Sequence, residues 1–174
     1  AVSVSDGDSV SVKGDVDATS TDNIGVSADN GKAEIGGDVK AGDNNAIEAE
    51  NKSEVDVKGN VEGDRGVWAV DSKVTIGGNV SSNDNPGIEA MDGANVTVGG
   101  NVTSKNNTGV LAGKTDEATD DTPATIVTVK GDVISDGPCG IDASDVLLSK
   151  SMVMLQEQKK EYMRMMPKLR LVEM

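Results

Sequence analysis

Apolar and polar residues alternate in short runs along most of the chain, and the runs recur. The segment VTIGGNV at 74–80 returns as VTVGGNV at 96–102. A Gly-Asp/Asn-Val signature recurs at intervals of 23, 22, 19, 22 and 31 residues, ending at Val16, Val39, Val61, Val80, Val102 and Val133. Alternation with a period of two is typical of a strand that buries one face. The pattern therefore predicts short strands.

Two further apolar pairs accompany each signature. The pair ahead of it is Val10/Val12, Ala33/Ile35, Val55/Val57, Val74/Ile76, Val96/Val98 and Val127/Val129 in successive units. The pair behind it is Val26/Ala28, Ile47/Ala49, Val67/Ala69, Ile88/Ala90, Val110/Ala112 and Ile141/Ala143. Each unit thus predicts three strands, separated by Gly and Asn residues that tolerate a positive φ.

Three strands per repeat predict one coil of a β-solenoid. Coils stack at roughly 4.8 Å, so that like residues lie above like residues and valines fill the core. A β-sandwich does not repeat one motif in register. We therefore predict an all-β fold, a right-handed parallel β-helix of about six coils of about 22 residues over 1–145. Val57, Ile76 and Val98 should point inwards.

The repeats VTVGGNV and GIEA resemble those of bacterial cell-surface right-handed parallel β-helix proteins. These proteins belong to the pectate-lyase-like fold class and include adhesins and polysaccharide-associated proteins. The resemblance covers residues 2–143. It implies the fold and an extracellular or cell-surface setting in a bacterium, and it brings no catalytic motif with it.

The first strand pair is placed differently from the others. Val2 and Val4 come before Val10, at the position that a preceding unit would give to its last strand. We expect the chain to begin partway through a coil, as a fragment of a longer solenoid would. Unpaired strands at that coil favour end-to-end self-association.

A longer segment, GKTDEATDDTPA at 113–124, interrupts the repeat before Val127. The register resumes at Val127, so the segment is predicted to loop out from the stack. Its four carboxylates, Asp116, Glu117, Asp120 and Asp121, make a candidate calcium site, because a hard cation prefers oxygen ligands. A solvated acidic loop is the competing interpretation.

The composition narrows the range of partners. The net charge is −14, with no His and one Cys, Cys139. An acidic surface repels phosphate backbones, so we expect no nucleic-acid partner. No apolar stretch reaches the roughly 20 residues of a membrane span.

Residues 146–174 differ from the repeats. Six of the seven methionines lie there, and residues 147–174 carry three acidic and six basic side chains. Apolar residues at helical spacing predict an amphipathic α-helix over 148–166, ended by Pro167. One interpretation is a cap over the last coil, and the other is an element that binds a membrane surface or a partner.

Alternation also predicts the residues that face water behind each signature: Ser3, Ser27, Glu48, Trp68, Glu89, Leu111 and Asp142. Trp68, the only Trp, should lie outside with Glu48 one coil before it and Glu89 one coil after, and Arg65 should lie in the turn that precedes it. An exposed indole between carboxylates suits a sugar ring and its hydroxyls. The competing interpretation is that Trp68 covers apolar surface or a subunit contact.

The ladder of Asp15, Asp38, Asn60, Asn79, Asn101 and Asp132 is predicted to be structural, with stacked side chains bonding to turn backbones.

These features favour a non-catalytic surface or secreted module that binds polysaccharide or a host or cell-surface glycan, or that acts as an adhesive or spacer segment. The alternative is a polysaccharide lyase or glycoside hydrolase acting on acidic glycans. Glu48 and Glu89 would be roughly 9.6 Å apart, near the upper limit for an inverting pair. A flat face offers them no cleft, and we assign no catalytic residue.

Overall fold

A computed structural model describes residues 1–20, 22–115, 118, 119 and 121–143. The described residues contain nineteen strands in three parallel sheets. Sheet A contains β1 (Val2–Ser5), β4 (Val26–Asp29), β7 (Asn45–Glu50), β10 (Arg65–Val70), β13 (Ile88–Met91), β16 (Val110–Gly113) and β19 (Ile141–Ala143). Sheet B contains β2 (Ser9–Val12), β5 (Lys32–Ile35), β8 (Glu54–Val57), β11 (Lys73–Ile76), β14 (Asn95–Val98) and β17 (Ile126–Val129). Sheet C contains β3 (Val16–Ala18), β6 (Val39–Ala41), β9 (Val61–Gly63), β12 (Val80–Ser82), β15 (Val102–Ser104) and β18 (Val133–Ser135).

The chain visits the sheets in the order A, B, C, and each such coil pairs only with the coils before and after it. On sheet B, Val74 pairs with Val55 on one side and with Val96 on the other. Val or Ala therefore recurs at every position of this inward column. The predicted parallel β-solenoid is confirmed; its right-handed sense stays a prediction.

The core is a stack of Val, Ile and Ala side chains from all three sheets. Val57, Ile76 and Val98 are at most 1% exposed, so their predicted inward orientation is confirmed. Burying a side chain of this size stabilises the fold by about 1.5–3 kcal/mol. Only the outermost coils differ: Val10 and Val12 are half-buried and pack against the edge of the core.

The turn between sheets B and C explains the Gly-Asp/Asn-Val signature. The side-chain oxygen of each Asp or Asn except the last, Asp132, accepts a hydrogen bond from the backbone N–H of its equivalent one coil later. The N···O distances are 2.8 Å from Asn101 to Asn79 and 2.8 Å from Asp132 to Asn101. The predicted structural ladder is confirmed.

From the second coil onwards, the glycine that precedes each ladder residue is required for space rather than for a positive φ. A Cβ on Gly100 would collide with Oδ1 of Asn79 and with the carbonyl oxygen of Gly78. The expectation of a positive φ is wrong for the glycines at this turn.

Positive φ values occur instead where sheet A leads to sheet B. Asn30, Asn51, Asp71 and Asp92 adopt φ values between 44° and 54° there. Asn and Asp tolerate the left-handed region better than other residues with a side chain. The chain turns sharply at this corner in successive coils.

After the long segment that precedes β17, Val127 resumes the register by pairing with Val96. Hydrogen bonds attach Thr115 and Thr125, near the two ends of this segment, to the solenoid. Thr115 donates to Asp92 through N and Oγ1, at 2.8 and 2.7 Å. Thr125 is fully buried and donates to the carbonyl of Gly113 at 2.8 Å. The predicted helix over 148–166 lies outside the described residues.

Candidate ligand-binding face

Trp68 lies on the outer face of sheet A at the centre of strand β10. Its neighbours Val67 and Ala69 are fully buried, so the indole projects away from the core and is itself half-buried. Trp68 pairs in register with Glu48 on β7 and with Glu89 on β13. The predicted order of the three side chains, one coil apart, is confirmed.

Arg65, predicted to lie in the turn before Trp68, is instead the first residue of the same strand and lies beside this trio. Its Nε is enclosed and lies 3.0 Å from Oε2 of Glu89, but the N–H is not aligned for a hydrogen bond, so the contact is an ion pair. The two side chains are 22% and 21% exposed. Partial burial reduces screening by water, which makes this pair stronger than a fully exposed one.

Arg65 also donates hydrogen bonds to two asparagines, neither of which was predicted from the sequence. Nη1 donates to Oδ1 of Asn45 at 3.2 Å, and Nη2 donates to Oδ1 of Asn85 at 3.4 Å. Asn45 in turn donates to Oε2 of Glu48 at 3.0 Å. A signal for this network was present in the spacing, because Asn45, Arg65 and Asn85 follow one another at intervals of 20 residues, close to one coil.

The network holds the two glutamates in place from the same side. Oε2 of Glu48 faces Asn45, and Oε2 of Glu89 faces Arg65. The second oxygen of each carboxylate has no hydrogen-bond or ion-pair partner among the described residues. Two fixed acceptor atoms therefore flank the indole, one on each adjacent coil, and each can accept a hydrogen bond from a ligand hydroxyl or amine.

Glu50 is a third carboxylate on the outer face of sheet A, near Glu48. Glu50 follows Glu48 by two residues on β7 and pairs in register with Asp29 on β4. Burial raises the pKa of Glu50, and the charges of Glu48 and Asp29 raise it further. Negative charge is thus concentrated on this part of sheet A.

Apolar side chains also lie on this face. Val70 lies two residues further along β10 and pairs with Met91, while Leu111 pairs with Glu89. All three are half-buried on the outer surface. The face around the indole therefore combines acidic and apolar side chains, which suits a ligand with one apolar face and polar substituents.

The face is open rather than enclosed. Two shallow depressions lie elsewhere on the solenoid: one of about 350 Å³ near Lys52 and Lys73, and one of about 270 Å³ near Lys40 and Glu62. Neither is lined by Trp68, Glu48 or Glu89. We give more weight to the Trp68 face than to these depressions, because it combines an aromatic surface with fixed hydrogen-bonding groups.

The candidate calcium loop lies only partly within the described residues. Asp116, Glu117 and Asp120 lie outside the described residues, and Asp121 is exposed. Across the part of the chain that the structure describes, no group of three or more His, Cys, Asp or Glu residues is arranged to hold a metal ion.

Comparison with protein-family models, with curated proteins and with solved structures gave no match. Among the described residues, no helix is long and apolar enough to cross a membrane.

Proposed function

We propose that residues 1–145 form a non-catalytic polysaccharide-binding module of a bacterial surface or secreted protein, with an adhesive role in the larger protein. The observation that carries the proposal is the position of Trp68, which projects from the outer face of sheet A between Glu48 and Glu89 in register. An indole stacks on the apolar face of a sugar ring, and fixed oxygens on either side accept hydrogen bonds from its hydroxyls.

The repeat geometry supports a polymeric ligand. Successive coils present their outward side chains at the strand spacing of roughly 4.8 Å, so a chain lying along the solenoid axis meets Glu48, Trp68 and Glu89 in turn. The rigid backbone of paired coils keeps these groups in place before the ligand arrives. Preorganisation of this kind lowers the entropy cost of binding.

The arrangement argues against the alternative, a lyase or hydrolase. A lyase needs a free base, but each outer nitrogen of Arg65 donates to an asparagine and its Nε faces Glu89. A hydrolase with two carboxylates needs a substrate held between them, but the half-buried Trp68 occupies that position.

A glycan array probed with the protein, together with a product assay on the retained glycans, tests this proposal. We expect retention without turnover and binding weakened by about fivefold or more in Trp68→Ala, because one stacked aromatic contributes roughly 1–3 kcal/mol. Ile134→Ala is the matched control, since Ile134 is an apolar side chain 41% exposed on sheet C. Turnover that Glu48→Gln or Glu89→Gln abolishes would establish the enzyme instead.

A further inference from the structure

The area around Trp68 carries more carboxylates than cations. Arg65 faces Glu89 at 3.0 Å, so their charges offset each other. Glu48 and Glu50, two residues apart on β7, have no ion-pair partner in the described chain. Two negative charges therefore remain uncompensated next to the indole.

These charges also repel one another. Glu50 is flanked by Glu48 on its own strand and by Asp29 in register on β4. Burial and these two neighbours raise the pKa of the Glu50 carboxyl. A ligand that brings positive charge to this area would relieve the repulsion and gain attraction, whereas a neutral ligand would leave it unchanged.

We infer that the polysaccharide bound at Trp68 carries free amino groups, as a polymer of deacetylated 2-amino sugars does. This inference rests on the proposed function and names its ligand class. A protonated amine attached directly to a stacked sugar ring is close to the indole face, where a cation–π interaction is favourable. It can also donate a charge-assisted hydrogen bond to the free oxygen of Glu48.

The same charges disfavour two other ligands. An acidic glycan would place carboxylates against Glu48 and Glu50 without a free cation to receive them, because Arg65 is already engaged. A lysine-rich peptide brings the right charge, but each lysine loses roughly 1.5–2 kcal/mol of side-chain entropy when it is fixed. A ring amine has no such flexible stem.

Calorimetric titration with two oligosaccharides of equal length and linkage, and with a cationic peptide for comparison, tests the inference. The probes are a glucosamine hexamer, an N-acetylglucosamine hexamer and a lysine hexapeptide, at low salt and mildly acidic pH so that the amines are charged. We expect the glucosamine hexamer to bind about tenfold or more tightly than its acetylated counterpart. Added salt should reduce this preference.

Variants that remove one charge show which carboxylate produces the preference for the amino sugar. Glu48→Gln should reduce the preference for the amine by up to about fivefold, the upper range for one solvent-exposed ion pair. Glu62→Gln removes the same charge from sheet C, where Glu62 pairs with Lys40 at 3.5 Å, and should leave the preference unchanged. Trp68→Ala should weaken binding of both sugars.

The remaining outcomes separate the inference from the proposed function. Equal binding of both sugars, lost in Trp68→Ala, would overturn the amino-sugar inference and leave the polysaccharide-binding module standing. Equal or tighter binding of the lysine peptide would show a general cation site and would also overturn it. If no glycan binds, on the array or in solution, the proposed function fails and the inference fails with it.

Discussion

Arg65 and Glu89 face each other across one coil boundary, with Nε of Arg65 3.0 Å from Oε2 of Glu89. Because Arg65 also donates to Asn45 on the preceding coil and to Asn85 on the following one, one side chain links three coils. The Arg65 network thereby holds Glu48 and Glu89 in place on either side of Trp68.

Arg65→Met should therefore destabilise the solenoid by about 1–2 kcal/mol, because Glu89 and two asparagines lose a half-buried partner. Lys73→Met is the matched control. Lys73 pairs with Glu54 at 2.9 Å, but these side chains are 59% and 45% exposed, so its loss should cost about 0.5 kcal/mol or less. Urea unfolding measures both variants, and equal free energies of unfolding would show that the Arg65 network contributes no more than a surface ion pair.

The ladder turn makes a prediction about glycine. Gly100→Ala places a Cβ against Oδ1 of Asn79 and should cost about 1–3 kcal/mol, since either the ladder or the backbone has to shift. Gly14 has the same place in the first coil, but its Cβ would meet nothing within 4 Å. Gly14→Ala should therefore be neutral or slightly stabilising in thermal unfolding. Similar losses in both variants would mean that close approach does not explain the glycine.

Adjacent residues on β14 test the register. Val98 is fully buried, so Val98→Asp should cost more than about 4 kcal/mol or prevent folding. Thr97, one residue earlier on the outer face, should accept Asp with a loss of about 1 kcal/mol or less. Circular dichroism and urea unfolding of the two variants give the answer. If Thr97→Asp is the more damaging change, the inward and outward faces have been assigned the wrong way round.

Two glutamates should respond to pH in opposite directions. The pKa of Glu50 is raised by burial first and by Glu48 and Asp29 next, so the folded protein holds this proton more tightly than the unfolded chain does. Its contribution to stability is present below the ordinary pKa of about 4.3 and is lost as the pH rises through the raised value. Glu50→Gln should therefore be more stable than the parent at neutral pH, with the difference vanishing in acid.

Glu54 provides the opposite case. A hydrogen bond from Lys73 is the first cause that lowers its pKa, and the charges of Lys73 and Lys32 add to it. Its stabilising contribution is present above the ordinary pKa and is lost as the pH falls through the lowered value. Glu54→Gln should therefore be less stable than the parent at neutral pH only. Thermal unfolding as a function of pH follows both variants, and curves of the same sign would contradict the assigned causes.

The repeat predicted the fold because, in a solenoid, residues at equivalent positions of successive units pair with each other. The length of the repeat therefore predicts the contacts between residues that are far apart in the sequence. Val74 and Val96 occupy the same place in successive units, and that alone predicts that they pair. The orientation of Trp68 followed from alternation within one strand. Both predictions needed only the period of two and the length of the coil.

Side-chain networks were harder to predict, because they depend on where long side chains bend at the corners. The spacing of Asn45, Arg65 and Asn85 aligns their backbones, but it does not show that the guanidinium group reaches both neighbours. The glycine of the ladder turn was misinterpreted for a related reason. Its requirement lies in the preceding coil, at Asn79 in the case of Gly100, and local sequence does not show such a contact.

Trp68 is the only tryptophan in the 174 residues, so its fluorescence reports directly on the proposed binding face. The most direct measurement is a fluorescence titration with hexamers of glucosamine, N-acetylglucosamine and galacturonic acid, for the parent and for Ile134→Ala. The account predicts a saturable change in the intensity or wavelength of emission with an amino-sugar or neutral hexamer, equal in both proteins. An emission spectrum that stays unchanged while a hexamer binds by calorimetry would place the ligand elsewhere and contradict the account.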